Sequence, residues 1–426
     1  MRRKGGLVLG TLLILAAVLL AACSPKTAVP DQQESGSASD AAAKGEAVLK
    51  LSWEEIEAAA KGSQVNLFMW GGDDGINRYI DEWVAPRVKE QYGITLKRYP
   101  MDASEFINKL LSEKQSRKQA GSMDIIWING ENFRNAKENG LLLGPIAPLL
   151  PNVQRYMDPE RHDLKYDFGY PTEGYEVPWG RVQFVFAYDS AKVSNPPRTL
   201  EQLVEWVKKH PGKFTYPAPP DFTGSAFIRH VLFETAGGVE PFLKPFDEQT
   251  MESYGQAVWD VLNEMAPYLW RQGKSYPQSL AQLDQLYQNG EVWMTMGYDE
   301  ARPSLRIAEG QFPPTTRTFV LEGGTLANSH YLAVPFNAPN PHGALTVINF
   351  LLSPEAQKKK MEQTYWGENM SLDLERLSPA DQEWVRRLDR GVATLPEDVL
   401  AKHRLPEIDG RYVEWLERKW LEKVGK

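Results

Sequence analysis

The chain has 426 residues, with 48 Lys and Arg against 56 Asp and Glu and a formal net charge of -8. That acidity argues against nucleic acid as a partner, because affinity for it rests on basic side chains that displace counterions. Cys23 is the only cysteine, which excludes an internal disulfide, so stability must come from burial.

Arg2, Arg3 and Lys4 precede an apolar run from Leu7 to Ala22. The run is shorter than the about 20 residues that span a bilayer, and its flanks are those of an export signal. Leu20-Ala21-Ala22-Cys23 resembles a bacterial lipobox, which implies a lipoprotein signal peptide at 1–22 and acylation of Cys23. Acyl chains hold to a bilayer by about 0.8 kcal/mol per buried methylene, enough to anchor a chain that carries several. Removing 1–22 also removes its three basic residues and takes the net charge from -8 to -11. Residues 23–50 then read as a flexible tether, since Gln32 to Asp40 holds no large apolar side chain that would offset ordering entropy. What remains is long enough for two domains.

Ser52-Trp53-Glu54-Glu55 predicts a capped helix to Lys61. Gln64 to Trp70 is an apolar run that reads as a buried strand, broken by Gly71-Gly72-Asp73-Asp74-Gly75. A helix follows over 76–92, interrupted or shifted near Pro86, then a strand over 94–98. Ser104 to Lys118 places Phe106, Ile107, Leu110 and Leu111 on one helical face. Asp124 to Ile128 is a third buried strand, followed by Asn129-Gly130-Glu131-Asn132. Val182 to Tyr188, Phe214 to Tyr216, Val292 to Met296 and Tyr331 to Pro335 are further strands. Helices are expected after Thr199, over 226–236 and over 344–352, with an amphipathic helical C-terminal third from Glu355. Alternation of strand, loop and helix predicts an α/β chain with mostly parallel sheets, whose ligands gather at the carboxyl ends of strands.

Several ordered motifs resemble the type II solute-binding proteins of ABC importers. Asp124-Ile125-Ile126-Trp127, Pro178-Trp179-Gly180 before Val182–Tyr188, and Gly290 to Gly297 match the family's third strand and its two crossovers. Met69-Trp70-Gly71-Gly72, Ile76 to Asp81, Pro335-Phe336-Asn337-Ala338, Asn349 to Gln357 and Trp366-Gly367 resemble the YnjB-like branch. The resemblance implies a two-lobed periplasmic-binding-protein fold, each lobe a mostly parallel sheet flanked by helices. On it, 51–181 with 297–325 form one lobe, and 182–296 with 326–426 the other. It also implies a cleft that captures a small solute, an ABC permease and its ATPase as partners, action as a monomer, and a place on the outer face of the cell membrane.

The candidate ligand residues lie on the loops at strand ends. Trp70, Gly71, Gly72 and Asp73 offer a ring face and close backbone approach; the alternative is a turn with a core Trp. Asn129, Gly130, Glu131 and Asn132 offer amide and carboxylate groups, or else cap a helix. Trp179 and Arg181 lie where the chain first crosses between lobes, as cleft wall or packed hinge. Thr223, Gly224 and Ser225 open a helix whose amides suit an anion, unless Asp221 and its neighbours cap them. Tyr298 and Asp299 follow the expected second crossover. Aromatic rings with an acidic excess favour a thiamine-like or polyamine-like cation, with a carbohydrate as the alternative.

The chain carries no Gly-x-Ser-x-Gly, His-Glu-x-x-His, Walker A or dinucleotide motif, and its six His are scattered. No catalytic residue, cofactor or metal is therefore expected. A surface glycosidase working through paired carboxylates needs no such motif and stands as the enzymatic rival. A tethered adhesin without a cleft is the third reading.

Overall fold

The computed structural model describes residues 45–425, so Cys23, the signal segment and most of the expected tether lie outside the described residues. Two sheets organise the rest. The larger runs in the order Arg404–Leu405, Thr325–Pro335, Ile125–Ile128, Gln64–Met69 and Thr95–Pro100, and Leu142–Leu143 and Glu176–Gln183 also pair with Thr325–Pro335. Gln64–Met69 is parallel to both of its neighbours, and Thr325–Pro335 runs antiparallel to Ile125–Ile128. The smaller sheet is antiparallel, with Val185–Asp189 between Thr316–Phe319 and Met294–Gly297. No helix among the described residues is long and apolar enough to cross a membrane.

Local chemistry explains the well-formed elements. The Ser52 side chain accepts from the Glu55 amide while Glu55 reaches back to the Ser52 amide, and the helix Trp53–Ala60 follows. The helical stretch from Asp74 to Tyr92 passes through a wider π turn over Tyr79–Val84, just before Pro86. Proline has no N–H and crowds the preceding turn, and widening the turn there relieves both without ending the helix. Phe106, Ile107 and Leu110 of the helix Ala103–Gln115 are buried, as their spacing predicts.

Each sheet owns its own apolar interior. Leu67, Met69, Tyr79, Trp179, Val334, Ile348 and Trp366 belong to one cluster on the large sheet, with Phe68, Phe106 and Phe133 in a second. Phe186, Phe214, Tyr216, Phe227, Trp259, Met294, Phe319 and Trp415 share the core of the small sheet. The chain passes between sheets at Gln183–Val185 and returns between Phe319 and Thr325.

That second passage corrects the expected one at Gly290–Gly297. Met294–Gly297 pairs with Val185–Asp189 inside the small sheet, and Thr316–Phe319 does too, so this part of 297–325 does not join the large sheet. Likewise Thr325–Pro335 lies in the large sheet and Pro341–Leu351 packs against Trp53–Ala60, whereas 326–426 was expected wholly in the second lobe. The last helix, Gly410–Lys423, does pack there, against Phe222–Ala236 and Glu248–Met265, and Leu400 of Glu397–Lys402 clusters with Val185 and Val320. Phe214 to Tyr216 is buried but pairs in no ladder; the Phe214 carbonyl instead accepts from the Trp270 amide at 2.8 Å. Past Met361 the C-terminal third is interrupted by long irregular stretches, although helices were expected throughout.

Candidate functional site

The segment expected to be a loop after Ile125–Ile128 is instead the start of the helix Gly130–Glu138, and it faces the start of the helix Phe222–Ala236 across a cavity of about 200 Å³. Asn129, Gly130, Glu131 and Asn132 line it from one side, and Phe222, Ser225 and Arg229 from the other. Phe168, Glu414 and Glu417 complete the wall, and an adjoining cavity of about 460 Å³ shares Gly130, Glu131, Phe168 and Gly410. Two segments far apart in sequence, both expected to bind ligand, thus meet at one place.

Asn129 occupies the N-cap position but its side chain makes no capping bond, so its amide is left to the cavity. Gly130 adopts φ +59°, and a Cβ there would stand 3.3 Å from the Phe168 ring. Its N–H donates to the Asp167 carboxylate, which is fully buried; burial, with the Glu407 charge, pushes that carboxyl well above its usual range. Glu131 is exposed and has no ion-pair partner among the described residues. Ser225 donates its hydroxyl to Glu417, whose carboxyl is also pushed up by burial.

The aromatic side of the site is built by Phe222. Its ring lies 4.9 Å from Tyr298 and 6.4 Å from Phe168, and the residue keeps 46% exposure. Beneath it Arg229 donates to the Tyr298 hydroxyl at 2.8 Å and to Glu407 at 3.2 Å, and Tyr298 itself donates to Glu407. This buried triad fixes the floor under Phe222. Sequence reasoning singled out neither Phe222 nor Phe168 as a contact. Phe222 stood within a recognised motif, but Phe168 sits in an irregular turn at φ +44° and left no signal.

The other expected contacts are distributed differently. Trp70 is 48% exposed, and Gly72 lies under its ring, where a Cβ would stand 2.3 Å from the indole. The Gly71 carbonyl accepts from Asn77 at 2.9 Å. Asp73 caps the Gly75 and Ile76 amides and approaches Arg306 at 3.8 Å. Asp299 accepts from the Ala301 and Arg302 amides, and burial and the Glu300 charge raise its pKa to about 7. At the start of Phe222–Ala236 the Asp221 carboxylate takes both the Thr223 and Gly224 amides at 3.0 Å. Those donors are therefore spent on the helix cap, and the anion reading of that helix end loses its physical basis.

Trp179 is not a cleft wall. The residue is fully buried, its ring centroid 5.4 Å from Trp127 and 5.1 Å from Trp366. Arg181, two residues on, lines a separate cavity with Asp163, Ser329 and Arg404. Alternation alone would put Trp179 and Arg181 on one face, and a bulge separates them: Gly180 pairs with His330 and Pro178 with Tyr331, so Trp179 is the extra residue and Arg181 turns toward Asp163. Among the described residues no cluster of His, Cys, Asp and Glu is arranged to hold a metal ion.

The family model for the bacterial extracellular solute-binding proteins matches residues 83–380. The chain belongs to that family. Protein YnjB of Escherichia coli (strain K12) is 36% identical over 375 residues, covering 88% of this chain and 94% of YnjB. Among solved structures, a spermidine/putrescine ABC transporter substrate-binding protein from Streptococcus pneumoniae matches with TM-score 0.60 and 17% identity, over 84% of this chain and 98% of the other. A periplasmic thiamin binding protein matches with TM-score 0.54 and 15% identity, over 85% and 96%. These likenesses establish the two-lobed periplasmic-binding-protein fold, and the family places the chain's work outside the cytoplasm.

Proposed function

We propose that this solute-binding protein captures a small organic cation, thiamine-like or polyamine-like, between the helix start at Asn129–Asn132 and the start of the Phe222 helix. It then hands the solute to an ABC permease driven by its ATPase. The observation that carries the reading is an exposed aromatic ring, Phe222, set opposite an unpaired carboxylate, Glu131, around one cavity. A cation over such a ring gains about 1–2 kcal/mol when desolvated, and micromolar binding needs about 8 kcal/mol, so several contacts must add. Glu131, Glu414, Glu417 and the amides of Asn129 and Asn132 supply them. The charge excess favours a cation: around the two adjoining cavities Arg411 is tied to Asp409, Arg134 to Glu414 and Arg229 to Glu407, which leaves Glu131, Glu138, Asp167 and Glu417 without ion pairs among the described residues, the last two with carboxyls pushed up by burial.

The relatives support the class. One solved structure of this fold is named for spermidine and putrescine and another for thiamin. Cys23 would be acylated and hold the body at the membrane surface, with 23–50 as the tether. Binding would draw the two lobes together about the strands Glu176–Gln183 and Thr325–Pro335, and the closed shape would be what the permease reads. Calorimetric titration with thiamine, spermidine and oligosaccharides tests the proposal. Saturable heat is expected with at least one cation and is abolished by Glu131→Gln together with Phe222→Ala. Heat with oligosaccharides alone would replace the cationic reading with a carbohydrate one.

A further inference from the structure

We propose that the cavity beside the two crossover strands is a binding site for a small oxyanion, phosphate or carboxylate, distinct from the solute cleft. It measures about 430 Å³ and shares no lining residue with the two adjoining cavities at Asn129–Asn132. Three guanidiniums line it, Arg161, Arg181 and Arg404, against one carboxylate, Asp163. Asp373 and Glu397 answer two of the guanidiniums from outside the lining, so what sets the cavity apart is three guanidiniums gathered on one wall.

The one lining carboxylate is already shared. A single oxygen of Asp163 meets Arg161 at 2.6 Å, Arg181 at 3.6 Å and the Ser329 hydroxyl at 2.9 Å. Burial opposes its charge, yet the two arginines hold its carboxyl well below the usual range, so it is fully ionised and can give no more. Arg161 also reaches Asp373 at 3.1 Å and Arg404 reaches Glu397 at 2.9 Å, but Arg181 has no second ion pair among the described residues. Burial and the Arg161 and Arg404 charges push the Arg181 guanidinium down, the mark of a cation short of counter-charge.

A second, independent observation points the same way. Asn328 is 4% exposed and lines the cavity, yet its buried Nδ2 donor has no partner. The Arg404 Nε is likewise buried and unpaired. Buried donors without acceptors are costly, and two of them beside three guanidiniums ask for oxygen acceptors. Forked guanidinium groups bind carboxylate and phosphate through paired N–H bonds, which a chloride ion cannot accept in the same way. The position gives the site leverage. Arg181 and Ser329 are register partners on the two strands that carry the chain between sheets, and Arg404 belongs to the short strand paired to Thr325–Leu326. An oxyanion held there braces the crossover geometry.

The test is calorimetric titration of the full chain in neutral detergent with inorganic phosphate and, separately, acetate, at ionic strength fixed with sodium chloride. Saturable one-to-one binding of at least one anion is expected, with a matching rise in the melting temperature. Arg404→Gln, Arg181→Gln and Asn328→Leu should each weaken it at least fivefold, and Arg181→Lys should weaken it less than Arg181→Gln. Phosphate binding without acetate binding assigns a tetrahedral ligand, and the reverse assigns a carboxylate. Should Arg181→Gln fail to fold, Arg404→Gln decides alone, since that side chain is partly exposed and its loss leaves no buried charge unpaired. Heats no larger than the chloride blank for both anions, or full affinity in Arg404→Gln, would overturn the site.

Discussion

Trp179→Ala separates a core tryptophan from a ligand-facing one. The ring has no exposed surface and makes edge contacts with Trp127 and Trp366, while the Lys360 ammonium stands 5.9 Å away. Truncating a buried Trp to Ala costs about 3–5 kcal/mol, part of it from the cavity left behind. One term offsets this: the indole N–H is buried without a partner, a penalty of about 1–3 kcal/mol that the variant no longer carries. A net loss of about 2 kcal/mol follows, which lowers the melting temperature by roughly 4–8 °C for a lobe of this size. Differential scanning calorimetry of the two proteins, with solute titrations well below the lower transition, gives both readouts. The expected result is that drop with solute affinity within about threefold of wild type, a change under 0.7 kcal/mol. A melting temperature unchanged within 2 °C together with a tenfold loss of affinity would refute the placement of Trp179 in the core.

Phe222→Ala should do the opposite, weakening solute binding about tenfold while shifting the melting temperature by less than 3 °C, because nearly half of the residue is already exposed. Lys360 and Glu368 are both fully buried and 2.8 Å apart, so Lys360→Met should cost about 3 kcal/mol by leaving the carboxylate with only the His330 ring at 2.9 Å, and adding Glu368→Gln should recover part of it in chemical denaturation. His230 contacts the Ala226 carbonyl through Nδ1 at 2.8 Å and accepts from the Leu326 amide at Nε2, and burial pushes its pKa down to about 3. An unfolded His takes its proton near pH 6.5, so this group's contribution is present above that pH and is lost as pH falls toward 3. Nitrogen NMR at pH 5 should still show a neutral His230 ring protonated at Nδ1; a charged ring there would contradict the burial argument.

What the sequence disclosed was mostly local. The Ser52 capping box, the Thr199 cap and the buried run Val65 to Met69 announce themselves, because capping groups and apolar spacing act within a few residues. The polar stretch Asn129–Asn132 was legible as the exit of an apolar strand, although it starts the helix Gly130–Glu138 and is not a loop. Partnership between distant segments was not legible. Met294–Gly297 has the apolar content of any central strand, and nothing in it says that Val185–Asp189 is its neighbour rather than the large sheet. Trp179 and Arg181 stand two apart in one strand, yet a bulge at Trp179, which nothing in the local sequence announces, sends one to the core and the other to an arginine-lined cavity. Phe168 enters the site through a turn at positive φ that composition does not encode, and Asp221 takes the amides that a helix start otherwise offers.

The account rests on one solute held between the helix start at Asn129–Asn132 and Phe222. Native mass spectrometry of the protein isolated from its own cells, beside the Glu131→Gln/Phe222→Ala variant prepared identically, tests this most directly. The account predicts one small organic cation bound to the wild-type chain, released on denaturation and missing from the variant. The same molecule held in equal amount by the variant would contradict it.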